Sequence, residues 1–265
     1  MYNLAVCYSE GKGVEQSDQK AAHWYLKAAE AGASEAMNII GVCYTEGKGI
    51  QQSDQKAVHW YLKAAEAGAP EAMNNLGVCY TEGKGIQQSD KNAVEWYRKA
   101  AEAGDPEAMY HFGVYHKEGT CVEQNDQKAV EWYRKAAEAG NPDARYALGL
   151  CYATGKGIEQ SNQTAAHWYF KAVEAGNTKA MVCLETILGF GIGLEHNDQE
   201  TAYGYLKAAW AGNTRAMYNL AVCYSEGKGV EQNYRQAIFW YNRNHATGGN
   251  LSPAKHIKLT PKITG

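Results

Sequence analysis

An all-α fold is predicted from the sequence: an α-solenoid, wound as a right-handed superhelix, of seven 36-residue helix-turn-helix repeats. Three observations carry that expectation. A period of 36 runs through the chain without insertion or deletion: Met1, Met37, Met73, Met109, Met181 and Met217 are all its methionines, and Arg145 fills the one remaining slot. Trp24, Trp60, Trp96, Trp132, Trp168 and Trp240 keep the same spacing, each followed by Tyr, as do Cys7, Cys43, Cys79, Cys151 and Cys223; only Trp210 among the tryptophans falls outside it. Residues 1–16 and 217–232 are identical, both reading MYNLAVCYSEGKGVEQ.

Within the unit 69–104, Ala72, Leu76, Cys79 and Tyr80 recur at i, i+4, i+7 and i+8, the pattern of an amphipathic helix, here helix A. Ala93, Trp96, Tyr97, Ala100 and Ala101 give a second stripe of the same kind, helix B. Pro70, Pro106 and Pro142 suit the first turn of helix A, where a missing N–H costs nothing, and Asp105 and Asn141 precede two of them as caps. Asp18, Asp54, Asp90 and Asp126 stand where helix B is expected to have its N-cap, and Gly32, Gly68, Gly104 and Gly140 are expected to end it in the left-handed conformation. An isolated pair could not hide both stripes, so successive pairs must stack on one continuous core. Ala5, Gly41, Gly77, Gly113 and Gly149 on helix A would let a neighbouring helix approach closely. The units read 1–32, 33–68, 69–104, 105–140, 141–176, 177–212 and 213–248, a single array with its first unit truncated, followed by a basic tail or cap at 249–265.

These residues resemble a known repeat. The order A-x-x-x-L-G-x-x-Y, then G-x-G-[VI], then D-x-x-K-A-x-x-W-Y-x-K-A-A-x-x-G is similar to the Sel-1-like repeat, a relative of the tetratricopeptide repeat. Here it reads Ala72, Leu76, Gly77, Tyr80, then Gly83, Gly85, Ile86, then Asp90, Ala93, Trp96, Tyr97, Lys99, Ala100, Ala101 and Gly104. The resemblance covers about 1–248 and implies a protein-binding scaffold or adaptor. Repeat 6 departs from it, with Glu185 for Ala or Gly, Leu188 for Tyr, Gly204 for Trp, and extra Phe190 and Trp210. Repeat 4 has Tyr115 for Cys and places Cys121 where the second loop glycine belongs.

With 26 basic against 29 acidic residues, the net charge of −3 argues against a nucleic-acid partner. No apolar run approaches the ~20 residues that span a bilayer, so no membrane insertion is expected, and the composition suggests a cytoplasmic chain. Met1 aligns with an internal position of helix A, so the sequence reads as starting about one turn inside that helix; an upstream signal peptide would change the compartment.

The motifs that suggest chemistry have plainer readings. Gly-Lys-Gly at 11–13, 47–49, 83–85, 155–157 and 227–229 lacks the G-x-x-x-x-G-K-[ST] spacing of a phosphate loop and reads as a helix C-cap followed by a turn. Val14, Ile50, Ile86 and Ile158 then plug that loop into the core. Ser-x-x-Lys spacing begins at Ser9, Ser17, Ser53, Ser225 and Ser252, without the S-D-N and K-T-G elements of serine acylases, and Ser17 and Ser53 sit at helix B starts, where capping explains them; a serine-lysine hydrolase is thus an unfavoured alternative. The periodic cysteines lie a repeat apart, too far for disulfides, and are expected as free buried thiols. His23, His59 and His167 share one helix B position with Glu95 and Glu131, an expected solvated face. No metal site, no cofactor and no catalytic residue is expected.

By analogy with tetratricopeptide arrays, a protein or peptide partner would lie extended in a concave groove lined by the free face of helix A, at positions such as Glu71, Asn74, Val78 and Thr81. The first row reads Glu35, Glu71, Glu107, Asp143, Lys179 and Arg215, changing sign along the chain. The second reads Asn38, Asn74, Tyr110, Tyr146, Val182 and Tyr218, amides and phenols able to bond an extended backbone. Phe190 and Trp210 in repeat 6 are secondary candidates. The alternative is a non-catalytic regulatory part of a larger protein.

Overall fold

Serine and asparagine side chains start most of the B helices, glycines follow the helix ends, and no strand occurs among the described residues. The computed structural model describes residues 1–189, 198–210 and 212–248. Phe190 and the 249–265 tail lie outside the described residues, as do the side chains of Val182, Glu185 and Leu188. Two compact units divide the chain. The first, Met1–Asn141, contains α1 (Tyr2–Glu10), α2 (Asp18–Glu30), α3 (Ser34–Glu46), α4 (Asp54–Glu66), α5 (Pro70–Glu82), α6 (Asp90–Glu102), α7 (Pro106–Glu118) and α8 (Asp126–Glu138). The second, Pro142–Gly265, contains α9 (Pro142–Thr154), α10 (Asn162–Glu174), α11 (Thr178–Gly189), α12 (Asp198–Trp210), α13 (Thr214–Glu226) and α14 (Tyr234–Ala246). Odd-numbered helices are the A helices and even-numbered ones the B helices. Inside each unit every helix packs on its neighbours in sequence.

The helix B caps correct the sequence reading by one residue. Ser17, Ser53, Ser89 and Ser161, not the aspartates, accept the N–H of Lys20, Lys56, Asn92 and Thr164, and Asn125 and Asn233 do the same for α8 and α14. The extended backbone of the serine, with φ between −163° and −152°, aims its oxygen at the first-turn N–H. Asp18, Asp54, Asp90 and Asp126 instead occupy the first turn, where a carboxylate opposes the positive end of the helix dipole. Asp105 caps α7 as expected, accepting the N–H of Ala108 at 2.7 Å.

The close approach permitted by the helix A glycines is made by one ring. A Cβ on Gly77 would lie 2.6 Å from Cε1 of Tyr97, and Gly41, Gly113 and Gly149 face Tyr61, Tyr133 and Tyr169 in the same way. The A helices α3, α5, α7 and α9 therefore carry a slot into which the B-helix tyrosine of the same repeat fits. The tryptophan one residue earlier is turned about 100° around the helix and reaches a seam instead. Trp60 and Trp240 are buried, whereas Trp24, Trp96, Trp132 and Trp168 are half-buried with Lys27, Lys99, Lys135 and Lys171 over their rings, at 4.4 Å for Trp96. The tyrosine, not the tryptophan, is the central core residue of the repeat.

The second loop glycine joins one repeat to the next. A Cβ on Gly49 or Gly85 would collide with the backbone of Asp18 or Asp54 at the start of the preceding B helix, and Gly229 meets Asp198 likewise. In repeat 4 this slot is Cys121, exposed and held at φ 57°, the one non-glycine with positive φ among the described residues.

Candidate functional site

Helix A packs through its Ala72, Leu76, Gly77 and Cys79 side and turns Glu71 and Glu82 to solvent, with Asn74, Asn75 and Val78 half-buried between. The candidate face in the first unit thus runs over Glu35, Glu71 and Glu107, all exposed, and the half-buried Asn38, Asn74 and Tyr110. Glu71 and Glu107 are close enough to Asp105 to act on its carboxyl, whose pKa is raised first by burial and then by those two charges. Asp105 itself is buried, and its carboxylate is taken up by the Ala108 N–H.

Several predicted side chains are already engaged. Asn38 accepts a hydrogen bond from Nδ2 of Asn75 at 3.0 Å, tying α3 to α5. Tyr110 leans on Tyr133 with ring centroids 5.9 Å apart. Thr81 turns away from the face: its hydroxyl donates to the Gly77 carbonyl at 2.9 Å and lies 3.3 Å from the Tyr115 hydroxyl. That position sits on the flank where neighbouring A helices meet, so it serves packing.

In the second unit, Asp143 is exposed and accepts from Nδ2 of Asn177 at 2.8 Å, while Asn177 Oδ1 caps α11 at Ala180. Tyr146 lies 6.0 Å from Tyr169, and burial together with Cys183 pushes its hydroxyl pKa up. Lys179 and Arg215 are exposed, and Tyr218 is half-buried. Arg215 is near enough to Tyr205 to offset part of the rise that burial causes in that phenol. The column one residue further on, Ile39, Asn75, His111, Cys183 and Asn219, shares the face and was missed. Its signal was the width of the exposed arc, which the i, i+3, i+7 row samples on one flank only. His111 stacks on Tyr97 at 4.7 Å, so this column bridges the face to the core.

The secondary candidate Trp210 is 59% exposed at the end of α12. Its ring meets Trp240 edge-on at 5.1 Å, and the Arg243 guanidinium lies 4.8 Å from its centroid.

The Sel1 repeat model matches residues 1–32, 34–68, 70–105, 106–141, 142–177, 182–211 and 214–243. The chain belongs to the Sel1 repeat family. Among solved structures it is similar to c5321, a protective antigen of uropathogenic Escherichia coli strains with an SLR fold, at 34% identity and a TM-score of 0.70 over 93% of this chain and 53% of that one. It is also similar to a Sel1 repeat protein from Oxalobacter formigenes, at 31% identity and a TM-score of 0.69 over 93% of this chain and 99% of that one. The chain spans about half the length of the E. coli antigen. No curated protein matches it.

As a Sel1 repeat protein, the chain is an all-helical array of helix pairs. The chemistry-like motifs are absorbed by that architecture. The Ser17 and Ser53 hydroxyls cap helices, and Lys20 and Lys56 of the same motifs lie over the Tyr8 and Tyr44 rings. Burial pushes the Cys79 and Cys223 thiols up to about 11, which leaves them protonated and unreactive at neutral pH. Among the described residues, no group of three or more His, Cys, Asp or Glu side chains could hold a metal ion, and no helix is long and apolar enough to cross a membrane.

Proposed function

We propose that this Sel1 repeat protein is an interaction scaffold or adaptor that binds partner proteins through the exposed faces of its A helices. The row of exposed carboxylates Glu35, Glu71 and Glu107 on successive A helices, beside half-buried Asn38, Asn74 and Tyr110, is the observation that supports it most. A basic segment of an extended partner is held there, while its backbone bonds the amide and phenol groups of Asn74 and Tyr110. In the second unit Lys179 and Arg215 favour acidic partner residues. The carboxylate and cation rows set orientation and association rate; the half-buried Tyr110, Tyr146 and Val78 supply contact area and slow dissociation.

The test is affinity capture with the chain as bait, followed by binding kinetics for the captured partner. Glu71→Lys with Glu107→Lys slows association, and Tyr110→Ala with Tyr146→Ala speeds dissociation, in proteins whose circular dichroism matches the parent. If both double variants bind as the parent does, the A-helix face is not the binding surface.

A further inference from the structure

The outward side of the B helices changes character in the second unit. The last residue of the B helix is Glu30, Glu66, Glu102, Glu138 and Glu174 in the first five repeats, and the slot seven residues earlier holds His23, His59, Glu95, Glu131 and His167. In α12 these two slots are Trp210 and Tyr203, and in α14 the earlier slot is Phe239. All three aromatic side chains are exposed, at 59, 44 and 46%. Phe239 and Trp210 both meet Trp240 edge-on at 5.1 Å. With Leu206, Tyr224 and Val230 they line a cleft of about 620 Å³. Slots that elsewhere carry glutamate or histidine have thus been given large aromatic side chains; Trp210 and Phe239 border the concavity, while Tyr203 lies on Phe170 outside it, and such an aromatic rim is the composition of an interface core.

Charge identifies the occupant. Helix α14 carries Arg235, Arg243 and His245 and neither Asp nor Glu, and the Arg243 guanidinium lies over both Trp210 and Trp240, at 4.8 and 5.6 Å from the ring centroids. Glu231 is the single charged residue in the lining of the cleft, and the Arg243 guanidinium flanks that lining on the Trp210 and Trp240 rings. The 249–265 segment has Lys255, Lys258 and Lys262 and no acid, so its charge has the same sign as that of α14 and is repelled by it. A second copy presenting this same face would set the like-charged Arg235 and Arg243 against each other, which makes it equally ill matched.

We propose that this cleft docks a short acidic segment of a partner protein, which inserts one large apolar side chain between Trp210 and Phe239 and sets its carboxylates against Arg235 and Arg243. The cleft lies between α12, α14, the Tyr224 end of α13 and the loop at Val230, and it includes none of the residues proposed for the A-helix face, so it stands or falls independently of that reading. The probe is a fluorescein-labelled peptide with a central Trp-Ala-Ala-Leu flanked by glutamates, titrated with the full chain and followed by anisotropy. Controls replace the glutamates by lysines, or Trp and Leu by alanines. The acidic peptide should bind and both controls should bind at least about tenfold more weakly. Trp210→Glu restores the residue that fills this slot in five other repeats and so keeps the fold; it should weaken the acidic peptide at least about tenfold, as should Arg235→Glu with Arg243→Glu. Binding unchanged by Trp210→Glu, equal binding of the lysine-flanked peptide, or no binding of the acidic peptide overturns the proposal. Self-association that Trp210→Glu abolishes would also overturn it, by showing a second copy as the occupant.

Discussion

Tyr97 in the first unit and Tyr241 in the second fill the same slot of the repeat but not to the same depth. Tyr97 is 2% exposed against Gly77, and Tyr61, Tyr133 and Tyr169 are as deeply set against Gly41, Gly113 and Gly149; Tyr241 faces an alanine slot, Ala221, and is half-buried. The alanine alone does not set that depth, since Tyr25 is 6% exposed in a repeat that carries Ala5 at the same position. The compensation is local: where Tyr241 is drawn out, Trp240 is 1% exposed, covered by Trp210 and Phe239, whereas Trp96 of the first unit lies half-buried under a lysine. The repeats therefore share a packing scheme and the last one differs in which aromatic carries it, while α12 and α14 turn aromatic side chains outward where the first unit turns ion-paired ones such as Glu95, Arg98 and Glu102.

The largest expected effect sharpens that contrast. Tyr97→Ala should cost ~3–5 kcal/mol by cavity formation, and Tyr241→Ala roughly half as much, ~1–2 kcal/mol, in denaturant unfolding. For the tryptophans the order reverses: Trp240→Ala should cost ~3–5 kcal/mol and Trp96→Ala about 1–2 kcal/mol, since much of the Trp96 ring is already in contact with solvent and Lys99. Equal losses within either pair would break the comparison.

Much of the fold was legible because period, glycines and prolines act locally. The helix pairs, the proline starts and the glycine stops are each set by backbone conformation, which a sequence displays directly. The Ser-Asp pair at the start of helix B was misassigned because both residues are good caps, and only the backbone shows which oxygen faces the N–H. Trp96 and Tyr97 lie on one stripe by spacing, so periodicity could not say which ring would find Gly77 across the helix pair. On the candidate face, exposed Glu35, Glu71 and Glu107 were readable from their row, while the Asn38–Asn75 and Asp143–Asn177 bonds join side chains from different helices and leave no periodic signature.

Two smaller effects test where the first unit departs from its own pattern. Cys121→Gly should stabilise the chain by ~1 kcal/mol, because the left-handed backbone there no longer strains against a Cβ; a loss of stability would show that the thiol is anchored. His116 takes the slot of Tyr44 and Tyr80, and burial holds its pKa below the ordinary value of 6.5, against a smaller upward push from the backbone at Glu123. A histidine with a lowered native pKa binds fewer protons folded than unfolded below about pH 6.5, so stability falls as the pH drops through that value. Thermal midpoints measured across pH 5 to 8 should show that fall, and His116→Tyr should reduce it; an unchanged profile would mean that His116 is solvated.

Carboxylate footprinting of the chain, free and with its captured partner, tests the binding account most directly, because the first unit contains its own control. Glu35, Glu71 and Glu107 are exposed on the A helices, and Glu95, Glu102, Glu131 and Glu138 are exposed on the B helices. The account predicts that the partner shields Glu71 and Glu107 while labelling of Glu95, Glu102, Glu131 and Glu138 stays as in the free chain. Shielding of the B-helix glutamates with Glu71 and Glu107 labelled as before would contradict it.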